Sequence, residues 1–303
     1  MSTVKSIVTA ALGSGIIALA SSALAQTTVT SFAPSTNKPP GVWFENDVRP
    51  GGTASIADLT GVTGDLENDL QLPVGAAKIT TDFTNAAKAE VGVADNYGKV
   101  AGILSSLQLS YDWHKAANAG QNPNAAPSLK LSFFNPSCVD VSNNPGKDCF
   151  GALVYEAYQN GFGNHPAEDT WNTSSVDYTS GKWWWTGGFG SPNQAGGPAN
   201  RTLAQWEAHL SSLSTDFAGA SLVLVSIGVG SYNQGQVGYF DNVTIAGTNA
   251  DASYDFEPAP TFETLGECIS TLIADDCTGL KGKSRAMCSH ASQMTCFDLF
   301  GVK

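Results

Sequence analysis

Three consecutive tryptophans, Trp183–Trp185, are the residues of this chain whose type and spacing most invite a chemical reading. In an extended strand successive side chains face opposite ways, so Trp183 and Trp185 share one face and Trp184 takes the other. Whatever the phase, at least one indole leaves the core of a layered protein. Such a ring is covered by a loop or helix, the usual fate of tryptophan, or it offers its π-face to a ligand such as the apolar C–H face of a sugar. Tyr155, Tyr158 and Trp171 are expected to share that surface.

Catalytic signatures are mostly missing. His114, His165, His209 and His290 are scattered without metal-ligand spacing. The stretch Gly228-Val229-Gly230-Ser231-Tyr232 does not supply a Gly-x-Ser-x-Gly elbow. Gly282-Lys283-Ser284 imitates the end of a phosphate loop, but the required upstream glycine is Cys277 and no strand precedes it. A polysaccharide lyase would need His, Tyr and Arg gathered by folding, for which His165, Tyr158 and Arg201 are the candidates. No catalytic residue is assigned.

The elements that would position these side chains read as β. Expected strands are 77–83, 103–113, 128–134, 152–158, 182–185, 221–229 and 238–245. Leu107, Leu109, Tyr111 and Trp113 alternate with polar residues, as do Leu129, Leu131 and Phe133, the period of a strand with one buried face. Leu222–Val225 is apolar on both faces, as a central strand should be. Stretches rich in Gly, Pro and Asn separate the strands. Leu203, Trp206, Leu210 and Leu213 recur at helical spacing. Many strands, one short helix and no βαβ alternation predict an all-β, antiparallel two-sheet jelly-roll sandwich over residues 26–257.

The first 25 residues read as a secretory signal peptide. Lys5 is followed by a weakly apolar run, and Ala23-Leu24-Ala25 precedes Gln26 in the small-x-small pattern of a cleavage site. No later run reaches the roughly 18 apolar residues of a membrane span. The expected product is secreted, extracellular or periplasmic. Only 14% of residues are charged and the formal net charge is −12, which excludes nucleic acid as a natural partner, since phosphate neutralisation needs clustered cations.

Six cysteines in an exported chain predict disulfides. Cys138 and Cys149 enclose a turn-rich loop. After the linker at 258–260, residues 258–303 read as a helical hairpin, with Phe262, Leu265, Ile269, Leu272 and Ile273 as an apolar stripe and Ser284 capping a second helix. A turn centred on Gly282 sets Cys268 opposite Cys296 and Cys277 opposite Cys288. Nine residues separate Cys268 from Cys277, which places them on opposite faces of one helix, so the second rung requires Cys277 to lie in the unwinding turn.

The order Val42-Trp43-Phe44-Glu45-Asn46-Asp47, then Trp171 and Trp183–Trp185, a helix with Trp206, and Tyr239-Phe240-Asp241-Asn242-Val243-Thr244-Ile245 resembles secreted bacterial jelly-roll domains of the carbohydrate-binding-module and concanavalin-like-lectin type. The resemblance implies a non-catalytic domain that binds a polysaccharide. It also implies a structural calcium where the first and last strands meet, with oxygen ligands from Glu45 and Asp241. Lectin-fold glycosidases carry Glu-x-Asp-x-x-Glu on one strand. Glu45-Asn46-Asp47 begins that pattern, but position 50 is Pro, so the general acid is missing. A lyase or hydrolase on the same fold, and a structural surface or matrix protein, are the alternative readings.

Overall fold

A computed structural model describes residues 26–62, 64–68, 75–117, 122–139, 148–195, 200–260 and 264–299. Residues 1–25, on which the expected signal peptide falls, Phe262 and most of the loop between Cys138 and Cys149 lie outside it. Among the described residues the chain forms two sheets. The first contains β1 (Gln26–Val29), β3 (Gly52–Asp58), β4 (Gly75–Thr81), β6 (Gln108–Lys115), β9 (Trp171–Asp177), β12 (Val237–Gly247) and β13 (Ala250–Phe256). The second runs in the order β10 (Trp183–Trp185), β8 (Phe150–Tyr155), β7 (Ser128–Phe134), β11 (Ser221–Gly230), β5 (Lys88–Lys99) and β2 (Trp43–Glu45). All pairings are antiparallel except β1 with β13, which is parallel.

The alternating patterns face their even or odd residues inward as expected. Leu129, Leu131 and Phe133 of β7 are buried, as are Leu153 and Tyr155 of β8 and Ala89, Val91 and Val93 of β5. These inward residues meet Leu109, Tyr111 and Trp113 of β6 and Phe240, Val243 and Ile245 of β12 in one core. Strand β11 is interior to its sheet; Leu222 and Val225 are buried, whereas Val223 and Leu224 are partly exposed.

One expected strand starts late. Residues 103–106 are not extended: α1 (Val100–Ile103) runs into a short 3-10 turn at Leu104–Ser106. Val100, Ile103, Leu104 and Leu107 are all buried, and their spacing is helical rather than alternating. The period of two begins only at Leu107. Strand β8 ends at Tyr155, and Ala157–Gln159 forms a 3-10 turn.

Helix α2 (Leu203–Leu213) is fixed at its start by a reciprocal cap between Thr202 and Gln205. It buries Leu203, Trp206 and Leu210, whereas Leu213 is exposed. With α3 (Thr215–Gly219), which contributes Phe217, it closes the core beside β10. In the tail, α4 (Leu265–Asp276) and α5 (Gly282–Leu299) are joined by Cys268–Cys296 and Cys277–Cys288, and Cys138–Cys149 ties the end of β7 to the start of β8. Cys277 has left helical geometry, at φ −103° and ψ 8°, as the two-rung pairing requires.

Candidate functional site

The sheet that carries the tryptophans has a second face directed away from the core, and the side chains on that face can be read across the strands. Trp184 lies opposite Val154, Val154 opposite Lys130, Lys130 opposite Ser226, Ser226 opposite Gly92, and Gly92 opposite Phe44. A neighbouring row holds Ala152, Ser132, Leu224 and Ala94. A groove of about 600 Å³ crosses this face, with Glu90, Lys130, Ser132 and Leu224 in its floor and Phe44 and Phe150 at its sides. A shift of register in β11 between Leu222 and Leu224 brings Val223 and Leu224 to the groove.

One end of the floor is ionic. Glu90, with only 4% of its side chain exposed, binds the ammonium groups of Lys88 (2.7 Å) and Lys130 through Oε2. Its Oε1 accepts hydrogen bonds from Asn46 Nδ2 at 2.7 Å and Ser226 Oγ at 2.9 Å. Lys88 also reaches Asp47 at 2.7 Å, and Arg49 grips Asp47 with two hydrogen bonds of 2.8 and 2.7 Å. Lys130 and Glu90 belong to strands that flank β11, and Gly228 of β11 is paired with Glu90. A Cβ at Gly228 would stand 2.8 Å from that of Glu90, so glycine there leaves the room in which the groups meet.

Burial alone would raise the Glu90 carboxyl, but Lys130 and Lys88 outweigh it and hold the pKa at about 2. Burial likewise opposes ionisation of Asp47, and Arg49 with Lys88 keeps it well below the usual carboxylate range. For Lys88 burial is outweighed by Glu90 and Asp47 and the pKa rises; for Lys130 burial wins and it falls. The difference has a simple cause. Lys88 has two carboxylates and Lys130 shares one.

The other end of the face is aromatic. Phe134 and Phe150 are directly paired across β7 and β8 and are 40% and 43% exposed. Adjacent strands stand about 4.8 Å apart, so the two rings form one exposed apolar step. The backbone N–H of Asn135 donates to Cys149 O at 3.0 Å, and the Cys138–Cys149 disulfide closes the same junction. At about 3.3 Å per residue, Phe134 lies roughly 13 Å along the strand from Lys130.

The structure does not gather the expected aromatic site into one surface. Trp183 and Trp185 are 0% exposed and point into the core, where Tyr155 packs at a tilt against Trp183 with ring centres 5.4 Å apart. These three are core residues. Their burial follows from the phase of β10, which turns two of its three indoles inward. Trp184 is the indole on the groove face, half-buried, with its Nε1–H donating to Glu156 at 2.7 Å. Tyr158 lies near that carboxylate, while Trp171 belongs to the other sheet and packs with Leu59, Ala76 and Tyr239. Glu45 is on β2 and Asp241 on β12, in different sheets, and Asp241 Oδ1 accepts the N–H of Phe256 at 2.8 Å. Among the described residues no group of three or more His, Cys, Asp or Glu side chains is placed to hold a metal ion. Arg201 covers the ring of Trp206 at 4.6 Å, and His165 is exposed. Sequence reasoning missed Lys88, Glu90, Lys130, Phe134 and Phe150.

Glycoside hydrolysis needs one carboxyl that carries a proton beside one that does not. Glu90 and Asp47 are both ionised at neutral pH. Near this face burial pushes the Glu156 carboxyl up, against hydrogen bonds from Trp184 and Tyr158, as burial also does for Asp255 on the other sheet. Glu156 follows the last residue of β8, and β8 lies three strand spacings, about 14 Å, from the β5 strand that carries Glu90.

On the other sheet His114 is 2% exposed, between the rings of Trp171 at 5.5 Å and Tyr239 at 5.9 Å, and among the described residues neither ring nitrogen has a hydrogen-bond partner. Burial lowers its pKa, against the pull of Asp169 and Asp65. The folded chain therefore resists a proton that the unfolded chain accepts near 6.5. The stability gained by keeping the ring neutral is present above that value and is lost as the pH falls below it. Denaturation midpoints measured from about pH 7.5 to about pH 5 should decline more steeply for the wild type than for His114→Leu; equal slopes would clear this histidine of the effect.

No protein-family profile matches the chain, and no curated protein matches it. Solved structures do. A family 11 carbohydrate-binding module from Clostridium thermocellum, in complex with a β-1,3-1,4-mixed-linked tetrasaccharide, is similar at 11% identity and a TM-score of 0.35, over 72% of this chain and 91% of that one. The family 11 module of a cellulosomal cellulase of the same organism gives 13% identity and a TM-score of 0.35, over 75% and 97%. An exo-β-agarase gives 9% identity and a TM-score of 0.33, and the similarity spans 82% of this chain but only 28% of the agarase. The likeness is one of fold. Among the described residues no helix is long and apolar enough to cross a membrane.

Proposed function

We propose that this is an exported carbohydrate-binding protein that holds a polysaccharide chain, without cleaving it, in the groove across β2, β5, β11, β7 and β8. The observation that carries the reading is the pairing of two exposed phenyl rings with a hydrogen-bonding floor on one open sheet face. Phe134 and Phe150 offer apolar faces to sugar rings, and Ser132, Thr186 and the ionic cluster offer partners for hydroxyl groups. The ionised state of both groove carboxylates supports binding over hydrolysis. Three disulfides support an oxidising compartment.

Retention on a panel of insoluble and soluble polysaccharides, with and without chelator and alongside an assay for released sugars, tests the proposal. Retention without product is expected, and the chelator arm tests the calcium expected at Glu45 and Asp241. Phe134→Ala and Phe150→Ala should each weaken binding about tenfold, the scale of about 1.4 kcal/mol for one lost aromatic contact. Both rings are substantially exposed, so folding stability should change little. Failure of the wild type to bind any glycan would remove the proposal, and steady release of sugars would move it to the enzyme class.

A further inference from the structure

We infer that the groove prefers acidic saccharides, and that Lys130, with Lys88 behind it, receives an anionic substituent of the sugar chain, either a uronic acid carboxylate or a sulfate ester. The inference rests on the carbohydrate-binding reading and names the ligand class of that site. Its first ground is charge. The groove is lined by Lys38, Lys88 and Lys130 against Asp47 and Glu90, an excess of one positive charge in a chain whose formal charge is −12. A cationic spot is the opposite of what the composition would place there by chance.

The second ground is geometry. Two ammonium groups converge on the same oxygen of Glu90, and only Lys88 has a second carboxylate to lean on. An ammonium carries three N–H donors. Among the described residues Lys130 donates to one carboxylate, and 20% of its side chain stays exposed where it lines the groove. The other oxygen of Glu90 is held by Asn46 and Ser226, so the carboxylate fixes the lysines in place and is not itself free to turn to a ligand. A neutral chain can offer the remaining N–H donors of Lys130 only hydroxyl oxygens, whereas an anion offers them a charge-assisted partner. On the rim Lys38 is exposed over the ring of Phe44 at 5.0 Å, and its stem can swing over a bound chain.

Matched oligosaccharide pairs test the preference on the full chain by titration calorimetry. Oligogalacturonate is compared with its methyl ester, and a sulfated galactan oligosaccharide with its desulfated form. The charged member of at least one pair should bind about tenfold tighter at low salt, and about 0.5 M salt should erase most of the difference. The pair that shows the larger ratio identifies carboxylate or sulfate as the anion. Lys130→Met should abolish the preference and Lys38→Ala should reduce it about two- to threefold. Should Lys130→Met fail to fold, the salt dependence and Lys38→Ala decide. Neutral members binding as tightly as charged ones would overturn this inference and leave carbohydrate binding standing. Binding by no member of either pair, with no retention on the wider panel, would take both.

Discussion

Glu90→Ala should destabilise the folded protein by about 3–5 kcal/mol, the usual cost of removing one partner from a buried ionic cluster. Four groups lose their acceptor at once: Lys88, Lys130, Asn46 and Ser226. Lys88 retains Asp47, but Lys130 is left as a cation with its carboxylate gone. Glu90→Gln should recover part of the loss, because an amide oxygen can still accept from Asn46 and Ser226. The double change Glu90→Leu with Lys130→Met should recover more, since it removes the charge that the single change strands. Urea denaturation at neutral pH reads all three. A loss under about 1 kcal/mol in Glu90→Ala would mean that solvent replaces the carboxylate and that the cluster is less dry than its burial implies.

The same carboxylate sets an acid limit. Its folded pKa of about 2 lies below the ordinary 4.5, so its stabilising contribution is present above 4.5 and is lost as the pH falls toward 2. Asp47 shifts in the same direction for the same kind of reason. In Glu90→Gln the stability curve between about pH 4.5 and about pH 2 should be flatter than in the wild type.

What the chain discloses before folding is governed by distance along it. The rungs of the tail hairpin, Cys268–Cys296 and Cys277–Cys288, are legible because the members of each pair lie at equal distances, to within one residue, from one glycine turn. The β7 pattern of Leu129, Leu131 and Phe133 is legible because its outward residues are polar. Strand β5 is not. Its inward residues Ala89, Val91 and Val93 are small, its outward positions mix Lys88, Glu90, Gly92 and Ala94, and Asp95-Asn96 imitate a turn although the strand runs on. With β5 unseen, the meeting of Lys130 with Glu90 across 40 residues of sequence and an intervening strand is invisible. Phe134 and Phe150 were hidden differently. A phenylalanine in an apolar strand reads as core, and only the pairing register shows both rings outside. The tryptophan argument survives in its geometry and changes in its members, since one indole does leave the core, but the exposed aromatic step lies at the other end of the face.

Trp185→Ala is expected to cost about 3–5 kcal/mol of stability while leaving glycan affinity within about twofold. The indole is enclosed by Phe133 and Phe189 at 6.3 Å, Trp206 at 6.2 Å and Phe217 at 5.9 Å, and its Nε1–H donates to Gly188 O at 3.2 Å. On its remaining side it lies against the backbone of β8, so closely that a Cβ at Gly151 would come within 2.2 Å of the ring. Truncation therefore leaves a cavity bounded by rigid rings and by strand backbone, neither of which can move in to fill it, and such sites fall at the upper end of the cost of large-to-small changes. Gly151→Ala should be destabilising for the converse reason, because the ring has nowhere to retreat. Trp185 points away from the groove, so at a temperature where the variant is still folded its oligosaccharide affinity should match that of the wild type. Phe134→Ala should give the inverse pattern, with affinity lost and stability kept. If Trp185→Ala instead lost affinity in proportion to its loss of stability, the groove would depend on the packing beneath β8 and β10, and the assignment of binding to the outer face alone would fail.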